Sequence, residues 1–513
     1  MTKRQTKRAE EKREGGRVWL VGAGPGEVGL LTLRGAEVLK QADTVVYDQL
    51  VGGGILMRMP EEAEWIDAGK HAGNHRMEQE DINRLLIEKA KEGKRVVRLK
   101  GGDPFLFGRG GEEAEALCAA GVPFEVVPGV SSVAAVPAYA GIPVTHRDYT
   151  PSVHIVSAHR KRGSKEGVDY KALAALGDVT LVFFMGVRVL KEIAEGLMAA
   201  GVEATRAAAV IERGSRWNQR VVTAPLAELP EKAKEEGIGT PALIVVGRVC
   251  ELASVLSWAS KRPLWGRRVW LVRPRGKESA LAKKLEGLGA EVLQVPCGKM
   301  EAIPAGEESR RVMEELALQQ YAWLAFTSAA GVESFFEAFL DAGKDSRRLA
   351  GIKIASVGAA TSKALRERGI LADCEPKAAY GSELAKAMLE QMDAKEKVLL
   401  CLPEGVESDC AQTLRVSGIA VQELPLYRIR ELPPKWCGLE EVRPQKEDFA
   451  LFASAAAVRS FTRVIETMGN VEKGRAICIG KKTQQAALDC GWDAVCSQNV
   501  SLDSMVEKLL EQS

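Results

Sequence analysis

The sequence predicts an α/β protein of several domains, and three observations carry the prediction. Short apolar runs with strand character alternate with helical periodicity almost throughout, the pattern of mainly parallel sheets covered by helices. Glycine-rich breaks fall where a strand would hand over to a helix, most densely in VRLKGGDPFLFGRGGEE from Val97 to Glu113. The last half repeats a strand and helix pattern within itself. A chain of 513 residues has room for about three to four such domains.

Taken in order, residues 1–17 carry seven basic and three acidic side chains with no apolar periodicity, and read as a solvated, disordered tail. RVWLVG at 17–22 and TVVY at 44–47 read as the first two strands, with a helix over 31–41 between them. Residues 95–99 form another strand. Gly101 and Gly102 after it allow close backbone approach to a ligand, Asp103 offers an acceptor, and Pro104 turns the chain. Asp103 is equally readable as the cap of a helix over 112–118. After the proline-punctuated stretch 141–151, a second section runs through VHIVSAH, LVFFMG and ALIVVGRV, giving two lobes at about 18–140 and 151–250. Residues 251–265, basic and aromatic, read as a linker.

The remainder repeats itself. VWLVRPRG at 269–276 matches VLLCLPEG at 398–405, and Gly289 and Pro296 match Gly418 and Pro425 at the same offset of 129 residues. FTSAAGVESF matches FASAAAVRSF, and SVGAAT matches CIGKKT. Two similar α/β lobes with parallel sheets are expected, with a cleft between them.

Composition excludes several function classes. Lys plus Arg total 71 against 69 for Asp plus Glu, so no global charge advertises nucleic acid. No apolar run reaches the roughly 20 residues needed to span a bilayer, and the N-terminal stretch lacks the apolar core of a signal peptide; a cytoplasmic location is expected. The ten cysteines are scattered without a C-x-x-C pair, so neither a metal site nor a disulfide framework is expected. All five histidines precede residue 160, so chemistry in the second half must proceed without a histidine base.

Gly24 to Gly29 satisfies G-x-G-x-x-G, and Asp48 ends the next strand, as in an NAD-dependent dehydrogenase. Pro25, which has no N–H, and the anionic Glu27 count against a phosphate cradle there. Asp48 at the carboxyl end of a buried strand can serve as a base, and Lys70 on a glycine-flanked loop can pass a proton. Arg109, His146 and Arg147 suit carboxylate binding. Each of these is also readable as a solvated charge.

GAGPG, LLTLRG, VVYDQLV, GKHAG, VVRLKGGDPFLFGRGGEE, VVPGVSSVAA, AGIPVTHRDY, FFMG and TPALIVVGR, in this order over residues 18–250, resemble the uroporphyrinogen-III C-methyltransferase family. The resemblance implies the two-lobed tetrapyrrole methyltransferase fold, with S-adenosyl-L-methionine methylating two ring carbons of uroporphyrinogen III to give precorrin-2. It implies Asp48 as proton acceptor and Lys70 as donor. Pro25, Gly101, Gly102, Asp103, Leu106, Ser131, Ser132, Met185 and Gly214 would line the cofactor site. Leu106 and the Ser131–Ser132 pair depart mildly from the family pattern, where isoleucine and Thr-Ala are common. A later corrinoid-ring methyltransferase is the alternative, and related methyltransferases are commonly homodimers.

From about residue 266 to 513, the repeat with FTSAAGVESF, SVGAAT, ELPLYRIR and FASAAAVRSF resembles uroporphyrinogen-III synthase. That resemblance implies cyclisation of hydroxymethylbilane with inversion of the last ring and no cofactor, a non-catalytic bilobed module being the alternative. Tyr427 would assist departure of the hydroxyl group, or else packs as a hinge aromatic. Ser328, Thr361, Ser454 and Thr483 would face the cleft as substrate-binding hydroxyls, or else cap helices. The family's double crossing would combine 266–300 with 427–513 in one lobe, leaving 303–425 for the other.

Overall fold

The structure, a computed structural model, describes residues 15–69, 77–158, 167–273, 279–296, 299–304, 306–378, 380–430 and 434–513. The first sheet contains β1 (Arg17–Gly22), β2 (Thr44–Tyr47), β3 (Glu64–Asp67), β4 (Arg95–Lys100) and β5 (Phe124–Val127), in the order β3-β2-β4-β1-β5. Every pairing in it is parallel. β1, β2 and β4 are interior strands covered on both faces, which is why β1 and β2 read as nearly continuous apolar runs. The helix Gln79–Lys91 lays Ile82, Leu86 and Ala90, one helical face, against Val18, Leu20 and Val96. The helix Leu33–Lys40 begins where the Thr32 side chain accepts from the Gly35 N–H, a hydroxyl cap just inside the expected 31–41.

Strand order determines where a ligand can enter. The chain leaves β1 toward β2 and leaves β4 toward β5 on the opposite side, so the loops after β1 and β4 diverge at a shared carboxyl edge.

The second sheet contains β6 (Val153–Ser157), β7 (Thr180–Phe184), β8 (Ala207–Glu212), β9 (Arg220–Pro225) and β10 (Ala242–Val246), ordered β6-β7-β10-β8-β9. Only β6 and β7 pair in parallel; the other three pairings are antiparallel. The expectation of mainly parallel pairing therefore does not extend to this section. β8 and β9 are joined directly by residues 213–219, and antiparallel neighbours need no crossover helix.

The stretch expected to be a linker is folded. Short helices at Arg248–Leu252, Ala253–Leu256 and Ala259–Lys261 carry the chain across, and Leu264 is fully buried. The Arg262 guanidinium lies 5.2 Å from the Trp258 ring centre and 5.0 Å from that of Trp265. The basic and aromatic residues that suggested a join are a cation–π packing set.

The chain then lays down β11 (Arg268–Arg273) and β12 (Glu291–Pro296), and leaves to build β13 (Lys299–Ala302), β14 (Trp323–Phe326), β15 (Lys353–Ser356), β16 (Lys397–Pro403) and β17 (Ala420–Arg430). It returns for β18 (Phe449–Phe452), β19 (Arg475–Cys478) and β20 (Asp493–Cys496). The two sheets are ordered β12-β11-β18-β19-β20 and β13-β17-β16-β14-β15. Their centres correspond strand for strand: β12 with β17, β11 with β16, β18 with β14, and β19 with β15. These are the repeated sequence blocks.

Two compact units result, one of Met1–Val295 with Pro433–Ser513 and the other of Pro296–Leu432. The lobe limits differ slightly from those expected. β13 pairs antiparallel with the end of β17, Lys299 opposite Arg430 and Ala302 opposite Tyr427, so Met300 and Tyr427 belong to the second lobe's sheet.

Candidate active sites

The loops after β1 and β4 are joined backbone to backbone. The Gly24 N–H donates to the Gly102 carbonyl at 3.1 Å and the Gly102 N–H returns a bond to the Gly24 carbonyl at 2.8 Å. Gly24 and Gly102 both hold positive φ, +74° and +69°, where a side chain would be strained. A third loop closes on them: a Cβ on Gly129 would stand 2.2 Å from the Gly102 carbonyl oxygen, and one on Gly22 would stand 2.5 Å from the Gly129 Cα. On Gly102, itself buried, a Cβ would stand 3.8 Å from the Ser132 N, an ordinary contact, so it is the positive φ rather than crowding that favours glycine there.

Asp103 does not cap the following helix, Gly110–Ala119, whose cap position is held by Arg109 in the left-handed region. Its Oδ1 accepts from the N–H groups of Phe105 and Leu106, and its Oδ2 accepts from the Gly129 N–H at 3.0 Å. Asp103 thus folds its own turn and ties the second loop to the third. Ser131 caps the helix Ser132–Tyr139 by accepting from the Val133 N–H, and half-buried Pro25 lies between Gly24 and Gly26. Gly24's N–H is committed to Gly102 and that of Glu27 to the Ser215 hydroxyl, which leaves a poor phosphate cradle.

Asp48 follows β2 on the same edge, its side chain 29% exposed. Its Oδ1 accepts from Arg98 Nη2 at 2.5 Å. Arg98 Nε and Lys100 Nζ both donate to Glu113 Oε1, at 3.0 and 2.9 Å. Arg98, Lys100 and Glu113 are almost wholly buried. Burial disfavours the Arg98 cation, but Asp48 and Glu113 more than offset it and its pKa is raised. Burial first, then the like charge of Arg98, hold Lys100 below the ordinary lysine range. These three residues were missed in the sequence. The available signal was RVVRLK, which places Arg98 and Lys100 on one face of a strand whose interior is otherwise apolar after Arg95.

Met185 lies at the end of β7 with φ +56° and 53% exposure, beside Phe184, whose ring centre is 5.1 Å from that of Phe107. Phe107, Arg109, Arg213 and Ser215 also hold positive φ; such backbone gathers at functional sites. Leu106 is half-buried between exposed Phe105 and Phe107. Gly214 is fixed by packing, since a Cβ there would stand 2.3 Å from Val136 Cγ1. Arg109 is exposed and pairs with Glu112 through two bonds of 2.9 and 2.7 Å. His146 closes a turn on Thr150, its Nδ1 accepting from the Asp148 N–H, and Arg147 is exposed in that turn. Lys70 lies outside the described residues.

In the second lobe of the later section, Tyr427 Oη and Ser328 Oγ are hydrogen-bonded at 2.9 Å. Burial raises the Tyr427 phenol pKa while the Ser328 bond lowers it, with a net rise. Ser328 also caps the helix Ala329–Asp341, and Ser454 caps Ala455–Glu466 in the first lobe. Thr361 and Thr483 are buried in the first turns of the helices Ala359–Arg366 and Lys481–Asp489. Among the described residues no cluster of His, Cys, Asp or Glu could hold a metal ion, and no helix is long and apolar enough to cross a membrane.

Residues 17–230 match the model of the Tetrapyrrole (Corrin/Porphyrin) Methylases, and residues 279–507 that of Uroporphyrinogen-III synthase HemD. Porphyrin biosynthesis protein HemD of Ruminiclostridium josui is 41% identical over 499 residues, covering 97% of this chain and 98% of that protein. Siroheme synthase of Salmonella arizonae is 51% identical over 245 residues; the match covers 48% of this chain and about half of that protein, 52%. A crystal structure of uroporphyrin-III C-methyl transferase from Thermus thermophilus, complexed with S-adenyl homocysteine, is 41% identical, with 46% of this chain and all of that one covered at a TM-score of 0.40.

The buried ion network generates a stability prediction. Glu113→Ala leaves Arg98 and Lys100 without their shared carboxylate and is expected to cost about 3–5 kcal/mol. Arg109→Ala, on an exposed pair, is expected to cost under about 1 kcal/mol. Urea unfolding of the full-length variants measures both, and equal losses would contradict the assignment.

Proposed function

The chain belongs to the family of porphyrin biosynthesis protein HemD, and from that premise we propose how its two enzyme sections divide the work. Residues of about 18–250 act as a tetrapyrrole C-methyltransferase and those of about 266–513 as a uroporphyrinogen-III synthase. The later section cyclises hydroxymethylbilane to uroporphyrinogen III, and the earlier one methylates that product twice to give precorrin-2. The observation that carries the first assignment is the joined pair of glycine loops at the carboxyl edge of a parallel sheet, with Asp48 beside them.

S-adenosylmethionine fits these residues. Half-buried Gly101 leaves main chain accessible at the end of β4, and exposed Met185 with half-buried Leu106 offers apolar cover. The bound cofactor supplies an electrophilic methyl group. Methyl transfer to carbon is an in-line displacement, so the loops chiefly position two reactants. Asp48 takes up the proton released as the pyrrole system rearranges: Arg98 holds its Oδ1, and among the described residues Oδ2 remains to accept. Lys70 passes a proton onward, so that one proton leaves for each methyl group gained. Arg109, His146 and Arg147 meet the substrate's carboxylates.

Cyclisation of hydroxymethylbilane loses water, and the departing hydroxyl needs a proton. Tyr427, its phenol kept neutral by burial and oriented by Ser328, supplies a hydrogen bond to that group. Thr361 in the second lobe, and separately Ser454 and Thr483 in the first, supply hydroxyls for carboxylate binding.

The full chain, incubated with hydroxymethylbilane and S-adenosylmethionine alone, is expected to form precorrin-2, followed by its absorbance. A requirement for added synthase would remove the second assignment. In the same assay Asp48→Asn is expected to lower the methylation kcat by about 10²–10⁴ and leave S-adenosylhomocysteine affinity intact. Tyr427→Phe is expected to slow cyclisation roughly tenfold or more without altering methylation of supplied uroporphyrinogen III. An unchanged cyclisation rate would return Tyr427 to a packing role.

A further inference from the structure

Arg216, two residues past Gly214, is only 7% exposed and holds together three segments. Its Nη2 donates to the Leu50 carbonyl at 2.6 Å, two residues beyond Asp48. Its stem covers Gly26, where a Cβ would stand 2.5 Å from Arg216 Cγ. Its Nη1 pairs with the carboxylate of Glu441, which belongs to the synthase section and lies in the same compact unit.

The surroundings extend this junction. Glu291, half-buried beside them, has its pKa raised by burial, against which the Arg216 and Arg268 cations act. The Arg268 guanidinium, paired with Asp448 at 2.7 Å, lies 5.1 Å from the Trp217 ring centre. Gly53 packs under Val442, where a Cβ would stand 3.1 Å from Val442 Cγ1, and Lys435 Nζ donates to the Ala63 carbonyl at 2.7 Å. The synthase residues 434–442 thus lie against the segment after Asp48, while Arg216 presses on the loop after β1.

We propose that Glu441, a residue of the synthase section, is a positioning residue for methyl transfer, acting through Arg216 to hold the Gly22–Gly29 loop and the Asp48–Leu50 segment in their cofactor-binding arrangement. The proposal rests on the reading that these loops bind S-adenosylmethionine. Its physical basis is the cost of a buried guanidinium without its carboxylate: Arg216 would turn toward water or toward Glu291, releasing Leu50 and uncovering Gly26. Methyl transfer would then depend on the section fused to it, through side chains and without any exchange of intermediates.

The test uses full-length Glu441→Gln, Glu441→Asp and Arg216→Ala, the double variant Arg216→Ala/Glu441→Gln, and the neighbouring exposed Glu440→Gln as control. Glu441→Gln is expected to raise the KM for S-adenosylmethionine and the Kd for S-adenosylhomocysteine about tenfold with kcat little changed. Circular dichroism and hydroxymethylbilane cyclisation of the same preparation should match the unaltered chain. Glu441→Asp should recover part of the affinity, the double variant should bind no worse than Arg216→Ala alone, and Glu440→Gln should have no effect. An unchanged KM in folded Glu441→Gln overturns the proposal, as does a parallel fall of methylation, cyclisation and dichroism. If the unaltered chain binds no S-adenosylhomocysteine, the underlying cofactor reading fails instead, and that is seen before any variant is compared.

Discussion

Two hydrogen bonds between Gly24 and Gly102 are the constraint on which the rest of the first section depends. They can form because neither residue has a Cβ and both adopt positive φ, so two loops leaving adjacent strands in opposite directions approach within main-chain distance. Gly129 enters the same space, and Asp103 fixes it there with a carboxylate oxygen. Side chains are then arranged around a frame made of backbone. This division suits a reaction whose methyl group comes from a cofactor and whose protein contribution is chiefly orientation.

A few charges in this molecule are buried. The totals nearly cancel, yet Arg98, Lys100 and Glu113 lie together in the first domain's interior, with Asp48 at their solvent-facing end. Removing such groups from water is expensive, and a buried ion pair is seldom retained for stability alone. Here the network has a directional result: it fixes one oxygen of Asp48 at the solvent-facing end. The later section follows another course. It has no histidine, and although it buries the Arg268–Asp448 ion pair, the pair at its candidate site, Tyr427 with Ser328, is uncharged and suited to assisting the loss of water.

Much of this was legible in the chain. Apolar runs located the interior parallel strands because strands covered on both faces have no polar alternation, and the repeated blocks located equivalent strands and serine helix caps in the two later lobes. The second sheet was harder, since ALIVVGRV reads alike in parallel and antiparallel settings and only the short connection between β8 and β9 decides. The pairing of β13 with β17 moved Met300 and Tyr427 into the second lobe, a long-range event without local signature. Asp103 showed as an acceptor in the sequence, but its partner Gly129 is 26 residues away. Arg216 gave no signal, because what it holds comes from residues 26, 50 and 441.

The most direct measurement is hydrogen exchange of the full chain with and without S-adenosylhomocysteine. The account predicts slower amide exchange in peptides covering residues 22–29, 101–109 and 128–133, with residues 323–430 unchanged. Unaltered exchange in the glycine loops, with protection arising elsewhere, would contradict it.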